Sequence, residues 1–480
     1  MITIYQKPFG FHIKLDKWNA DIIADIKAIN WQSRKYIEAE RVWEVDLSHK
    51  AAVDALKIRY GGRFVEQTEE EKIGEIPPMP KLTIDIPTRL PLREYQAEGV
   101  AYGMEKLHYI NGDSPGLGKS FQTIATIYAL NAWPALIICP ASLRRNWQLE
   151  WEKFVGIKAM ILNDSVKKTW PTFYEMGMCK VFIVNYESLK KFFVQDIVKN
   201  EKGKFKLSNV TFNSNINIFN SIAIDEIHKV RDPTTIMSKL VRGICAKKRV
   251  VIGLTGTPIV NKPKDLVAQL LAIGQLEAVA GNYKHFMNRY CGGMAGAGAT
   301  NLEELNYKLK TTCFFQRLKK DVLKDLPDKV HQIVYCDITT RDEYNKASND
   351  LANYLKENKD KTDAEVAKSM RGEVMVKIGI LKQISARGKM NEVSEYIEEI
   401  IDADEKVGVF LHHKEIATFV KQKFPTTLLY TGAQSDEEKD RAVHEFQKCK
   451  KCNVRFENHI NSDHEHVPSD SKIIALSTKA

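Results

Sequence analysis

The chain lacks the marks of several protein classes. No apolar run reaches the roughly 18 residues that a membrane span needs, so no membrane partner is expected. The first residues, MITIYQKPFG, carry no basic stretch followed by an apolar one, which argues against a secretory leader. Cysteine is scarce and scattered. There are eight in 480 residues, six without regular spacing, and they do not form the framework of a small disulfide-stapled domain. The expected compartment is a reducing interior, cytoplasmic, or nuclear where the source has a nucleus. Disorder is excluded as well, because 44% hydrophobic and 28% charged residues is a globular balance. The one bias in charge is positive, a formal net charge of +10, which suits an anionic partner and nucleic acid first among them.

A chain of this length divides into two or three domains. Residues 1–67 form a small α+β unit: MITIY, FHIKL and RVWEVDL alternate like strands, and DIIADIKAI and KAAVDALKIRY are amphipathic helices. Residues 68–91 combine an acidic run with Pro77, Pro78, Pro80, Pro87 and Pro91, the composition of an extended linker. In residues 92–335 short apolar runs without a polar face (LHYING, PALIICP, KVFIVNY, SIAIDE, RVVIGLTG) alternate with helical stretches, as parallel strands covered on both sides do. A helical insertion containing CGGMAGAGAT follows within the same span. Residues 336–400 are again helical by pattern. From 401 to 480 strand-like runs return in KVGVFLHH, TTLLY and KIIALS, so a second sheet begins there and has three strands when the chain stops at Ala480. The expected class is α/β.

Chemistry concentrates in four places. DSPGLGKSFQT, residues 113–123, follows an apolar run and opens a helix. Gly116 and Gly118 let the backbone between Pro115 and Ser120, Leu117 included, turn its N–H groups toward phosphate oxygens. Lys119 would reach the β- and γ-phosphates and Ser120 would hold magnesium. Asp113 stands where the general pattern has its first glycine. In SIAIDEIHKV, Asp225 and Glu226 close a buried strand, where charge is costly without a task; a metal on Asp225 and a water activated by Glu226 supply one. GLTGTPI places Thr255 and Thr257 after another buried strand, suited to coupling the nucleotide to a nucleic acid. Finally, CKKCNVRFENHINSDHEH, within residues 449–466, spaces Cys449 and Cys452 like a zinc knuckle, followed by His459, His464 and His466. Two thiolates and two imidazoles make a closed tetrahedral site, with His464 joined by His466 or His459; the bland alternative is a polar loop with free cysteines.

In order and spacing these blocks resemble the Swi/Snf (Snf-two) family of superfamily-two motors, over about residues 90–480. LREYQAEGV resembles the family's adenine-reading block, with Gln96 as reader. ALIICPASLRRNWQLEWEKF, VFIVNYESL, DEIH and LTGTPI resemble motifs Ia, Ib, II and III. FFQRLKKDVLKDLPDKV resembles the connector into the second lobe, KVGVFLHHKE motif IV, and KIIALSTKA the start of motif V. The resemblance implies two RecA-like lobes, the second incomplete here, with ATP and magnesium between them and double-stranded or branched DNA across both. It implies first-lobe DNA contacts near Ser142, Asn146, Asn185, Tyr186 and Thr257, and second-lobe contacts near His413, Lys414 and Thr478. Such contacts go mainly to phosphates, so binding should be salt-sensitive and weakly sequence-specific. DIKAINWQSRKYIEAERVWEV is similar to the small HARP module of annealing helicases, through Arg34, Lys35, Tyr36, Arg41 and Trp43.

The expected activity is ATP-driven translocation on duplex DNA, with strand rewinding or fork remodelling. A nucleotide- and DNA-binding scaffold with little turnover, and an RNA helicase of the same superfamily, are the alternatives. The arginines of motif VI are absent from these 480 residues, which suggests a fragment, a degenerate motor, or a second chain supplying the remaining motifs.

Overall fold

A computed structural model describes residues 2–7, 10–16, 18–38, 41–66, 74–201, 205–259, 262–293, 296, 298–324, 329–349, 373–455 and 464–477. It divides into two compact units, residues 1–326 and 327–480.

The first unit opens with a five-stranded sheet in the order β3-β4-β2-β1-β5. Its strands are β1 (Ile2–Lys7), β2 (Gly10–Leu15), β3 (Arg34–Ile37), β4 (Val42–Asp46) and β5 (Arg63–Glu66). Only the β1–β5 pair is parallel. Helices α1 (Ala20–Ala28) and α2 (Lys50–Tyr60) place Ile22, Ile26, Val53 and Leu56 against Ile2, Ile4, Phe11 and Ile13. Asn19 caps α1 by accepting the N–H groups of Asp21 and Ile22. Gly61, in the left-handed region at φ 60°, ends α2. Both helices and three of the strands fall where the apolar spacing put them.

Residues 74–93 carry no helix or strand. Beyond them lies a seven-stranded, wholly parallel sheet in the order β14-β6-β13-β12-β7-β9-β8. Its strands are β6 (His108–Asn111), β7 (Ala135–Cys139), β8 (Met160–Ile161), β9 (Val181–Asn185), β12 (Ser221–Asp225), β13 (Val250–Leu254) and β14 (Phe314–Phe315). A separate ribbon pairs β10 (Val194–Ile197) with β11 (Val210–Phe212). Every residue of β7, β9 and β13 is buried, which is why these strands show no alternation. Helices α3 (Glu94–Lys106), α4 (Lys119–Ala129) and α5 (Arg144–Val155) cover one face with Trp147 and Trp151. Later helices cover the other around Trp170, Phe193 and Phe219, including Ile236–Cys245, Asp265–Ala272 and Tyr283–Tyr290.

The second unit holds a parallel three-stranded sheet, β15 (Val407–Leu411), β17 (Ile473–Ser477) and β16 (Leu428–Tyr430), with β17 in the middle. Helices Met390–Asp402 and Lys414–Lys423 bury Ile397, Ile416 and Val420 against Ile473 and Ala475. No helix among the described residues is long and apolar enough to cross a membrane.

Candidate functional site

Register decides where the chemistry meets. Leu254 of β13 pairs with Asn111 of β6 and with Asp225 of β12; Ile138 of β7 pairs with Ile224 and with Val184, and Cys139 with Asn185. Five strands, whose last residues run from Asn111 to Leu254, therefore leave the sheet along one carboxyl edge, the place where open α/β sheets bind ligands.

The glycine loop runs from β6 into α4. Gly116 (φ 88°) and Gly118 (φ 77°) hold left-handed backbone that other residues adopt only with strain. Lys119 extends back across the loop, its Nζ donating to the Asp113 carbonyl at 2.8 Å. Burial lowers its pKa, Glu226, Asp113 and Asp225 oppose that, and the charge of Lys319 adds to the lowering. Gln96, buried on α3, donates through Nε2 to the Leu117 carbonyl at 3.3 Å, and its Oε1 accepts the Arg93 N–H at 3.0 Å. The adenine-reading candidate therefore stands beside the loop.

Asp113, the departure from the glycine pattern, is fully buried and held by an arginine that the motifs did not single out. Arg317 donates from Nη2 to Asp113 Oδ2 at 2.6 Å and from Nε to Oδ1 at 3.1 Å, and its backbone N–H also reaches Oδ1 at 2.9 Å. Gln122 Nε2 adds a bond to Oδ2 at 3.0 Å. The same guanidinium meets Gln122 Oε1 at 2.9 Å and the Tyr95 carbonyl. A carboxylate in this position is tolerable because it is paired and bonded on both oxygens. It ties the loop to the edge strand β14, where Gly112 N–H donates to Phe315 O and Ser114 N–H to Arg317 O.

At the end of β12, Asp225 is fixed on every side. The Trp147 indole N–H donates to Oδ2 at 2.8 Å, the Glu226 N–H to Oδ1 at 2.9 Å, and the Tyr186 hydroxyl to the backbone carbonyl at 2.6 Å. Burial raises the Asp225 pKa; the Trp147 bond and Lys119 pull it down, while Glu226 pushes it up. Glu226 occupies the left-handed region at φ 52°, a strained position for a side-chain-bearing residue. Its Oε2 lies 3.1 Å from His228 Nδ1, which is 3.0 Å from Thr255 Oγ1; Thr255 in turn accepts the Thr257 N–H at 3.1 Å. A continuous polar path thus joins Glu226 to the TGTP turn. Beside Ser120 lies Glu150, whose carboxyl is pushed up to about 7 by burial, with Ser120 and Asn146 working the other way. Trp147, His228, Glu150 and Arg317 were missed as functional residues. Each lies in or beside a recognised block, so only contact across the sheet distinguishes it.

The expected DNA contacts separate into groups. Ser142, Asn146 and Thr257 are exposed at the carboxyl edge. Asn185 and Tyr186 are buried: Asn185 Nδ2 donates to Glu187 Oε2 at 2.7 Å, and the Tyr186 hydroxyl donates to the Asp225 carbonyl at 2.6 Å. In the second unit His413 and Lys414 border a cavity of about 190 Å³ at the carboxyl ends of β15, β16 and β17. Thr478 lies outside the described residues. In the N-terminal sheet, Arg34 stands 5.9 Å over the half-buried Trp43 ring, with Tyr36 beside it at 5.2 Å. Arg34 and Lys35 border a cleft of about 420 Å³ shared with Lys284, His285 and Asn288.

Cys449, Cys452 and His464 bring their ligand atoms within 4.8 Å of one another, and Cys449 Sγ lies 3.4 Å from His464 Nε2. Burial opposes ionisation of Cys449, but backbone N–H groups of Cys452 and Val467 and the His464 ring outweigh it and bring the thiol down to about 5. His466 does not join them: its Nε2 lies 3.2 Å from the Gln447 carbonyl, because the chain is pairing with Cys449 and Lys450 as it returns toward β17. His459 lies outside the described residues.

A family model of the SNF2-related domain matches residues 95–390. The chain belongs to the SNF2-related family. A Caenorhabditis elegans protein, the SWI/SNF-related matrix-associated actin-dependent regulator of chromatin subfamily A-like protein 1 homolog, is 30% identical over 347 residues, covering 68% of this chain and 47% of that protein. The human DNA annealing helicase and endonuclease ZRANB3 is 27% identical over 385 residues, 75% of this chain and 33% of that protein. This SNF2-related chain thus spans about half or less of the length of these relatives. A solved structure, the Sulfolobus solfataricus SWI2/SNF2 ATPase core in complex with dsDNA, is similar at 23% identity and a TM-score of 0.42, over 83% of this chain and 80% of that one.

Proposed function

We propose that this chain is the ATP-hydrolysing part of a duplex-DNA translocase of the annealing-helicase kind. The observation that carries the reading is the convergence of Lys119, Asp225 and Glu226 on one sheet edge, inside a chain of the SNF2-related family. Lys119, freed from the Asp113 carbonyl, neutralises the β- and γ-phosphate oxygens. Ser120 and Asp225 would hold magnesium, which would supply further charge neutralisation there. Trp147 orients the Asp225 carboxylate for that task. Glu226, turned out of the strand by its left-handed backbone, accepts the proton of the attacking water. His228, Thr255 and Thr257 link that carboxylate to the exposed turn that faces DNA, with Ser142 and Asn146 along the same edge. Where the longer relatives are named for annealing and chromatin, the partner proposed here is duplex or branched DNA, in whichever compartment holds it.

We also read Cys449, Cys452 and His464 as three ligands of a structural zinc, on the convergence of their donor atoms. The deciding experiment is steady-state ATP hydrolysis by the 480-residue chain, with and without duplex DNA and duplex RNA. DNA-stimulated turnover that is lost in Lys119→Ala and Glu226→Gln supports the motor; binding of ATP and DNA without turnover supports a scaffold instead, and stimulation by RNA alone an RNA helicase.

A further inference from the structure

The nucleotide loop has a second cation beside it. β14 pairs with β6 at the edge of the sheet, and the chain beyond it stays bonded to the loop through Ser114 N–H and Arg317 O, at 3.0 Å. Arg317 is locked onto Asp113, so Lys319, two residues on, is delivered to the loop. A methyl group in place of the Gly116 hydrogen would stand 3.0 Å from Lys319 Nζ and 3.1 Å from its Cε. Lys319 is half-buried, and among the described residues its ammonium group has no hydrogen-bond or ion-pair partner. Both oxygens of Asp113, the buried carboxylate of the loop, are bonded to Arg317. Lys119, for its part, is hydrogen-bonded to a carbonyl, with the carboxylates of Glu226, Asp113 and Asp225 favouring its charge. Two ammonium groups thus approach one glycine loop, each disfavouring the other's charge, and an anion between them relieves that repulsion.

We infer that Lys319 is a phosphate-binding residue of the nucleotide site, contributing a second positive charge to the triphosphate beside that of Lys119. The inference rests on the reading of residues 113–120 as a nucleotide loop and deepens it. Gly116 then has a further reason to lack a side chain: even a methyl group would crowd the lysine as well as strain the backbone. The contact is with phosphate, not with the base, because Gln96 lies against Gly118 and Leu117 while Lys319 lies against Gly116.

The test is calorimetric titration of the full chain with MgATP and with magnesium tripolyphosphate, which has no base to bind. Lys319→Ala and Lys319→Gln should each weaken both ligands about tenfold or more, and Lys319→Arg should stay within about threefold of wild type, as loss and retention of a charge-assisted contact require. Lys119→Ala is the reference for a phosphate contact. If Lys319→Ala and Lys319→Gln bind both ligands within about twofold of wild type while Lys119→Ala does not, Lys319 is an ordinary surface lysine. Weakened ATP with unchanged tripolyphosphate also counts against the proposal. A wild-type chain that binds neither ligand overturns the nucleotide reading itself.

Discussion

Arg317→Ala should destabilise the first unit by about 3 kcal/mol, at the lower end of the roughly 3–5 kcal/mol seen when one partner of a buried ion pair is removed. Asp113 is fully buried, and the substitution strips it of the two guanidinium bonds at 2.6 and 3.1 Å. What it retains, the Gln122 amide and the backbone N–H at position 317, offsets part of the loss. Asp113→Gly restores the residue of the general phosphate-loop pattern and removes the buried charge, leaving Arg317 with Glu98 and the Tyr95 carbonyl. The double variant should therefore be less destabilised than the sum of the single changes, by about 2 kcal/mol of coupling, within the usual range for contacting residues. Urea unfolding followed by tryptophan emission isolates the effect, because all seven tryptophans precede residue 171 and lie in the first unit. Additive single changes, or an Arg317→Ala loss below about 1 kcal/mol, would show that the pair is not the strap the geometry describes.

Trp147→Phe keeps the ring packing and removes the donor at 2.8 Å from Asp225; kcat for ATP should fall about tenfold to a hundredfold, the worth of one hydrogen bond to a charged group, with near-wild-type unfolding. Glu150 is held near 7 against an ordinary 4.5, so the neutral acid is the form that folding favours. Its stabilisation is complete below about pH 4.5 and is lost as pH rises through about 7; Glu150→Gln should thus gain on wild type by up to about 3 kcal/mol across that window, measured by urea unfolding without magnesium. Cys452→Ser should take bound zinc, measured by atomic emission on protein purified without chelator, from one per chain toward zero, whereas His466→Ala should leave it unchanged. Tyr186→Phe, which loses the bond to the Asp225 carbonyl, should change DNA affinity less than about twofold while lowering thermal stability, as removal of a buried hydroxyl's hydrogen bond does.

Local pattern was enough to reveal the elements that carry the nucleotide chemistry. The runs that became β6, β7, β9, β12 and β13 are too apolar to sit anywhere but inside a covered parallel sheet, and the glycines at 116 and 118 announce their own backbone. β14 was not legible, because two phenylalanines in a helical stretch have no periodicity to read. Asn185 and Tyr186 show the opposite limit. Their position at the end of a strand is evident in the sequence, but whether a residue there turns outward or packs beneath its neighbour depends on that neighbour.

The sequence by itself determined the α/β class, the order of the motifs, and the place of Lys119, Ser120, Asp225 and Glu226 at a loop or strand end, since each depends on spacing within one strand–loop segment. Tertiary structure alone decided which distant residues serve them. Trp147 reaches Asp225 across 78 positions and Arg317 reaches Asp113 across 204, and it is the pairing of parallel strands, not proximity in the chain, that brings each pair together. The Cys449–Cys452–His464 cluster follows the same division: the cysteine spacing is local, but His464 rather than His466 joins it because the returning chain pairs with Cys449 and Lys450 and draws the second imidazole toward Gln447.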